Sequence, residues 1–193
     1  MDCFFEQYMA IAETTHSYLR RLNPGAYEGL SIVHWTHTVA DRKCGWLDRD
    51  FHCQFRELLI HAGERYSLWC PAYCLMPDHF HLVWMGVEAG SDQRKGNQWL
   101  RRTVSARLKE RGFALQKQAY DRVLGEKERD RFPFEKLVGY VMSNPERSCL
   151  VASDFAVGNW LYRDSILPGF PDLSWRLGAT DYWERFWRAY YFT

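Results

Sequence analysis

The sequence predicts an α+β fold in which a mostly antiparallel sheet carries helices packed on one face. Three observations point there. Segments with strand and helix character follow one another as strand, helix, hairpin, helix, strand, helix. Two adjacent apolar runs, at 68–76 and 80–87, are joined by a connection too short for anything but an antiparallel hairpin. Apolar residues make up 47% of the 193 residues and charged residues 25%, a balance that supports a buried core and excludes an intrinsically disordered chain.

The elements follow in order. Residues 3–22 have helical character and stop before Asn23-Pro24-Gly25, a turn signal. From Gly29 to Ala40 the β-branched and aromatic residues Ile32, Val33, Trp35, Thr36, Thr38 and Val39 predict a strand. Phe51, Phe55, Leu58, Leu59 and Ala62 recur at helical spacing, so a helix is expected over 48–66, with Asp48 or Asp50 capping its free amide hydrogens. In the hairpin, Pro77 has no amide hydrogen and a fixed φ, which suits the Met76-Pro77-Asp78-His79 connection. A basic helix is expected over 92–111, a short strand over 115–124, a charged surface stretch over 126–131 and a helix over 134–143. The turn residues Gly158, Asn159, Pro168, Gly169 and Pro171 predict irregular chain over 155–175. A final helix over 181–192 carries Tyr182, Phe186 and Tyr190 at intervals of four, beside Trp183, Trp187 and Tyr191, and is expected to pack these rings on the domain. The alternative for some of the rings is stacking on unpaired bases. The chain therefore divides into an N-terminal helical segment (1–27), a central domain (28–152) and an aromatic C-terminal extension (153–193).

Charge narrows the partners. The total of +1 says little, but 92–111 holds Arg94, Lys95, Arg101, Arg102, Arg107, Lys109 and Arg111 against only Asp92 and Glu110. That excess suits a polyanion, with a solvated helix face as the plain alternative. No stretch has the run of apolar residues that a membrane helix needs, and the first residues lack the pattern of a signal peptide. The six cysteines, at 3, 44, 53, 70, 74 and 149, are irregularly spaced, unlike a secreted disulfide framework. A cytoplasmic protein with reduced thiols is the expectation.

Two short segments carry chemistry. In a strand, His79 and His81 project from one face while Phe80, Leu82 and Trp84 project from the other. Two imidazoles about 7 Å apart at Cα can converge on one metal ion, though half-buried histidines without a ligand are the plainer reading of the tripeptide alone. In Tyr140-Val141-Met142-Ser143-Asn144-Pro145, positions 140 and 144 share a helix face, and Pro145 places Asn144 at the helix end. A surface tyrosine with a capping asparagine is the plain reading of that segment alone. Cys70, Cys74, His79 and His81 raise structural zinc as an alternative, but four residues along one strand face separate the two thiols by about 13 Å. Where a tyrosine acts as nucleophile, Tyr120 is the rival of Tyr140, but it lies on a strand with no polar partner a turn away. His34 and His37, three apart on the first strand, face opposite sides.

Taken together, Leu75-Met76-Pro77-Asp78-His79-Phe80-His81-Leu82-Val83-Trp84 and, about sixty residues on, Tyr140-Val141-Met142-Ser143-Asn144-Pro145-Glu146-Arg147 resemble the single-tyrosine HUH transposases. More narrowly the chain resembles the REP-associated tyrosine transposases. Gln116-Lys117-Gln118-Ala119-Tyr120-Asp121, the basic helix and the tail from Leu161-Tyr162 to Asp181-Tyr182-Trp183 are similar to that family too, so the likeness spans roughly 28–190.

The resemblance implies a ferredoxin-like HUH core and an enzyme that nicks and rejoins single-stranded DNA at palindromic repeat hairpins through a 5′-phosphotyrosine intermediate. It assigns Tyr140 as nucleophile and His79, His81 and Asn144 as ligands of a divalent ion, Mg2+ or Mn2+. Arg94, Lys95, Arg101, Arg102, Arg107 and Lys109 become the expected DNA contacts. No G-x-x-x-x-G-K-[ST] loop is present, in keeping with transfer that needs no nucleotide energy source. Two departures from the family stand out: Asp78 replaces a common Asn, and Ser148-Cys149 replaces a small residue and Gly. A catalytically silent hairpin-binding protein of the same fold is the alternative, and a relaxase or rolling-circle initiator is disfavoured by the Asn144-Pro145 context. The aromatic extension favours a monomer, with a dimer as the alternative.

Overall fold

A computed structural model describes residues 21–151, 160–175 and 181–192. The helix expected over 3–22 lies outside the described residues up to residue 20, and Arg21 and Leu22 are not helical. Strands β1 (Ile32–Thr38), β2 (Leu68–Leu75), β3 (His79–Gly86), β4 (Tyr120–Val123) and β5 (Arg163–Ile166) form one antiparallel sheet in the order β4-β1-β3-β2-β5. Helices α1 (Arg49–Tyr66), α2 (Gln93–Glu110), α3 (Arg131–Met142), the single turn α4 (Asn144–Arg147) and α5 (Tyr182–Tyr191) are the α-helices among the described residues, beside three short 3-10 turns. The α+β class and the antiparallel sheet are as expected.

Local chemistry explains the boundaries. Asp48 is the cap of α1, accepting the amide hydrogen of Phe51 at 2.7 Å, and Asp92 does the same for Lys95 at the start of α2, at 2.9 Å. The β2–β3 hairpin closes with the Met76 amide donating to the His79 carbonyl, 2.8 Å, around Pro77-Asp78. At the far end of β3, a Cβ on Gly86 would lie 1.9 Å from the Gly29 carbonyl oxygen, so only glycine fits there. Helix α3 begins at Arg131, a turn earlier than expected, because Pro133 falls in the first turn, where no intrahelical donor is needed.

The layering differs from the expectation that helices pack on one face only. Val33, Trp35, Phe80, Leu82 and Trp84 meet Phe51, Phe55 and Leu59 of α1 and Leu100, Val104 and Leu108 of α2. On the other face Ala72, Cys74, Val83 and Met85 meet Phe134, Val138 and Val141 of α3 and Tyr182, Phe186 and Trp187 of α5. The physical reason is visible in β2 and β3. Their runs are apolar at consecutive positions and buried almost throughout, so both faces need cover. The C-terminal aromatics supply much of that cover: Phe134 packs on Phe186 and Trp187, and the Trp187 indole donates to Glu135 at 2.8 Å.

Strand β5 falls where irregular chain was expected. Its sequence, Arg-Asp-Ser-Ile, is polar yet wholly buried. Asp164 accepts from Arg56 at 2.6 Å, from Ser174 at 2.7 Å and from the Ser165 amide at 2.8 Å. A polar strand of this kind is stable only with its partners in place. Among the described residues no helix is long and apolar enough to cross a membrane.

Candidate functional site

The β1–β3 register aligns Thr36 with His81 and Thr38 with His79, so the histidines project from the face that α3 covers. There the two imidazoles point their Nε2 atoms at each other across 3.0 Å. The opposite ring nitrogens are each held. His79 Nδ1 lies 2.6 Å from Asp78 Oδ1, and the other Asp78 oxygen accepts from Arg42 at 2.8 Å. His81 Nδ1 lies 3.1 Å from both Thr36 Oγ1 and His34 Nε2. A continuous polar chain therefore crosses the sheet face, from His34 through His81, His79 and Asp78 to Arg42.

Electrostatics keep this chain in defined states. Burial pushes the His81 imidazole well below its usual range, and the neighbouring histidines add to the effect. His34, buried beside Arg122, is lowered to about 4. Both rings are therefore neutral near pH 7 and hold a lone pair. Asp78 feels burial pushing its carboxyl up, but hydrogen bonds from His79 and Arg42 outweigh that and hold it below the usual carboxylate range. An ionised Asp78 takes the Nδ1 hydrogen of His79 and leaves its Nε2 as an acceptor.

This donor set fits a divalent ion. Two ligand atoms each about 2.1 Å from one ion and at a right angle are about 3 Å apart, which is the Nε2 separation observed. The same separation fits an N–H···N bond between the rings. No group of three or more His, Cys, Asp or Glu side chains is placed to hold a metal among the described residues. A third protein ligand, where one is used, would be another oxygen donor such as an amide, a hydroxyl or a backbone carbonyl. The zinc alternative loses its basis, because a register shift between Trp69 and Ala72 puts Cys70 and Cys74 on opposite sheet faces. Burial also pushes the Cys74 thiol up to about 12.

Tyr140 is half-buried on α3, packed against the apolar cluster of the histidine face, with the Arg147 guanidinium 4.7 Å from its ring centroid. Helix α3 ends at Met142 and Asn144 opens the next turn, ahead of Pro145. The buried Asn144 amide donates through Nδ2 to the carbonyls of Tyr140 and Val141, at 3.1 and 3.2 Å. Because a carbonyl can only accept, these bonds fix the amide with Oδ1 as its remaining acceptor. That turn is anchored by Arg163 of β5, which grips both Glu146 oxygens, at 2.6 and 2.7 Å, and the Met142 carbonyl.

The six expected DNA contacts lie elsewhere, on α2 against the other sheet face. Arg94, Lys95, Arg101 and Arg102 line a cleft of about 640 Å3 with Arg21, Asn97 and Trp35. Arg101 forms part of its wall. It donates to His37 Nδ1 at 3.1 Å and to the carbonyls of Gln116 and Lys117 at 2.6 and 3.1 Å. Lys95 pairs with Asp92 at 3.0 Å and Arg107 with Glu110 at 3.4 Å, while Arg102 and Lys109 are exposed. The basic cleft and the histidine pair are thus separated by the thickness of the sheet.

The sequence pattern favours a core or surface place for His34 and assigns Thr36, Arg163 and Glu146 no role. Alternation places His34 and Thr36 on one face, but only the pairing of β1 with β3 reveals that this face is the one bearing His81.

No protein-family model and no curated protein matches this sequence. Among solved structures, the chain is similar to a REP-associated tyrosine transposase bound to a REP hairpin. The two align over 77% of this chain and 82% of that one with a TM-score of 0.60 and 17% sequence identity, a likeness of fold.

Proposed function

We propose that this chain is a single-stranded DNA transposase of the REP-associated tyrosine type, nicking and rejoining DNA at repeat hairpins. The observation that carries the reading is the facing Nε2 pair of His79 and His81, braced by Asp78 and His34 under the helix that bears Tyr140. The fold shared with a hairpin-bound transposase supports it.

His79, His81 and Asn144 would hold Mg2+ or Mn2+, whose Lewis acidity would favour attack on the scissile phosphate and departure of the 3′ oxygen. The Tyr140 hydroxyl forms the new bond to phosphorus and loses its proton. The bond from phosphorus to the 3′ oxygen breaks, that oxygen takes up a proton, and the 5′ phosphate remains on Tyr140. Return attack by a 3′-hydroxyl reverses each change, so rejoining needs no further energy source. Arg147 steadies the ring by lying over it. The exposed cations of α2 hold hairpin phosphates, so affinity should fall steeply with salt.

The test is a cleavage assay on single-stranded repeat hairpins of the source genome, labelled at either end, with manganese, magnesium or chelator. A protein-linked 5′-phosphate that forms only with metal is expected. Tight hairpin binding with no adduct in either metal would leave a DNA-binding protein without transposase chemistry.

Asp78 gives a separate prediction. Asp78→Ala removes the carboxylate that fixes the His79 tautomer, and loss of such a support weakens metal binding by about tenfold or more. Calorimetric titration of the DNA-free protein with manganese measures this directly. Unchanged affinity would mean that Asp78 serves only the hairpin turn.

A further inference from the structure

The proposed chemistry and the basic cleft lie on opposite sheet faces, so a DNA strand engaging both must round an edge of the sheet. Strand β4 forms the edge beside both. On one face Asp121 of β4 binds Arg21, which lines the cleft, and Arg101 of the cleft wall holds the carbonyls of Gln116 and Lys117 just ahead of β4. On the other face Tyr120 projects, because Tyr120 pairs with Thr36 and Thr36 with His81. These three side chains form one row across the sheet, which puts Tyr120 about 10 Å from His81 at Cα. That is within the reach of one nucleotide and a tyrosine side chain.

Tyr120 is also unusual in itself. It is 49% exposed, and among the described residues neither its ring nor its hydroxyl has a partner. Most other large rings of the chain are packed in the two cores. An exposed aromatic ring on a strand edge, between a cationic cleft and a phosphate-directed histidine pair, has the chemistry of a base-stacking platform.

We infer that Tyr120 stacks an unpaired base of the strand that joins the hairpin to the cleavage site, and so positions the scissile phosphate over His79 and His81. This rests on the proposed transposase reading and deepens it. Tyr120 is a positioning residue, so its ring matters and its hydroxyl does not.

The experiment uses the full chain with single-stranded repeat hairpins of the source genome that carry one 2-aminopurine at successive positions of the unpaired flank, in chelator. Binding by the wild-type protein and by Tyr120→Phe should quench one position, whereas Tyr120→Ala should leave that position bright with hairpin affinity lowered by about tenfold, the cations of α2 still holding the hairpin. With manganese, Tyr120→Ala should form the Tyr140 adduct about tenfold more slowly in single turnover, and Tyr120→Phe at the wild-type rate. Because Tyr120 is exposed, Tyr120→Ala should leave Tm within about 2 °C of wild type, and a larger drop would report a folding defect. Equal quenching by Tyr120→Ala and wild type would overturn the inference, as would loss of the adduct in Tyr120→Phe, which would make Tyr120 a nucleophile. If the wild-type protein forms no adduct but shows the quenching pattern, stacking stands and the cleavage reading falls. If it binds no hairpin, both fall.

Discussion

Tyr140→Phe is expected to abolish the covalent DNA adduct, by at least about a thousandfold, while hairpin affinity stays within about twofold. The change removes one oxygen and the bond it would form to phosphorus, and no other hydroxyl can substitute without the same placement. The ring remains to pack against the apolar face of the sheet and under Arg147. The Asn144 amide bonds to the backbone carbonyl of residue 140, not to its side chain, so the turn that sets Oδ1 should survive intact. Cations of the opposite sheet face are expected to supply most of the affinity, and they are untouched. Denaturing gels of labelled hairpin measure the adduct, and filter binding in chelator measures affinity. An adduct that persists in Tyr140→Phe would move the nucleophile elsewhere, with Tyr120 as the first candidate.

Much of the fold was legible in the sequence because its local signals agree with its tertiary structure. The Asp48 cap, the Pro77-Asp78 turn and the apolar runs of β2 and β3 each have a local cause. Other features were not legible, for different reasons. Alternation shows which residues share a face but not which strand lies beside which, so the second helical layer and the contact of His34 with His81 had to wait for the sheet order. Strand β5 was hidden because pattern reading looks for apolar side chains, and Arg163-Asp164-Ser165 is buried through ion pairs and hydrogen bonds made with residues remote in sequence. The bulge that turns Cys70 and Cys74 to opposite faces is likewise a tertiary feature, and it changes which chemistry the cysteines can share.

The polar strand also sets the second large effect, because Arg163 joins the sheet to the end of the helix that bears Tyr140. Arg163→Met keeps an unbranched apolar stem but strands the Glu146 carboxylate and the Met142 carbonyl, which Arg163 now satisfies. Its side chain is 5% exposed and that of Glu146 23%, so solvent screens the pair little. Breaking one partner of such a pair costs about 3–5 kcal/mol, which for a chain of this size lowers Tm by about 10 °C. The pH dependence has a definite sign. The Arg163 hydrogen bond holds the Glu146 carboxyl below its usual range, against a smaller upward push from burial. The pair therefore stabilises the fold above the unfolded glutamate pKa of about 4.3, and that contribution is lost as pH falls through the lower folded value. The Tm difference between wild type and Arg163→Met should be full at neutral pH and shrink below about pH 4, as thermal melts across pH 3–7 would show; a constant difference would mean that Arg163 acts through packing alone. Met142 and Glu146 bracket Ser143-Asn144-Pro145, so loss of their anchor should also loosen the turn that holds the Asn144 amide. At a temperature where Arg163→Met is still folded, its manganese affinity should fall with its stability, which separates an anchor of the site from a contact that serves the fold alone.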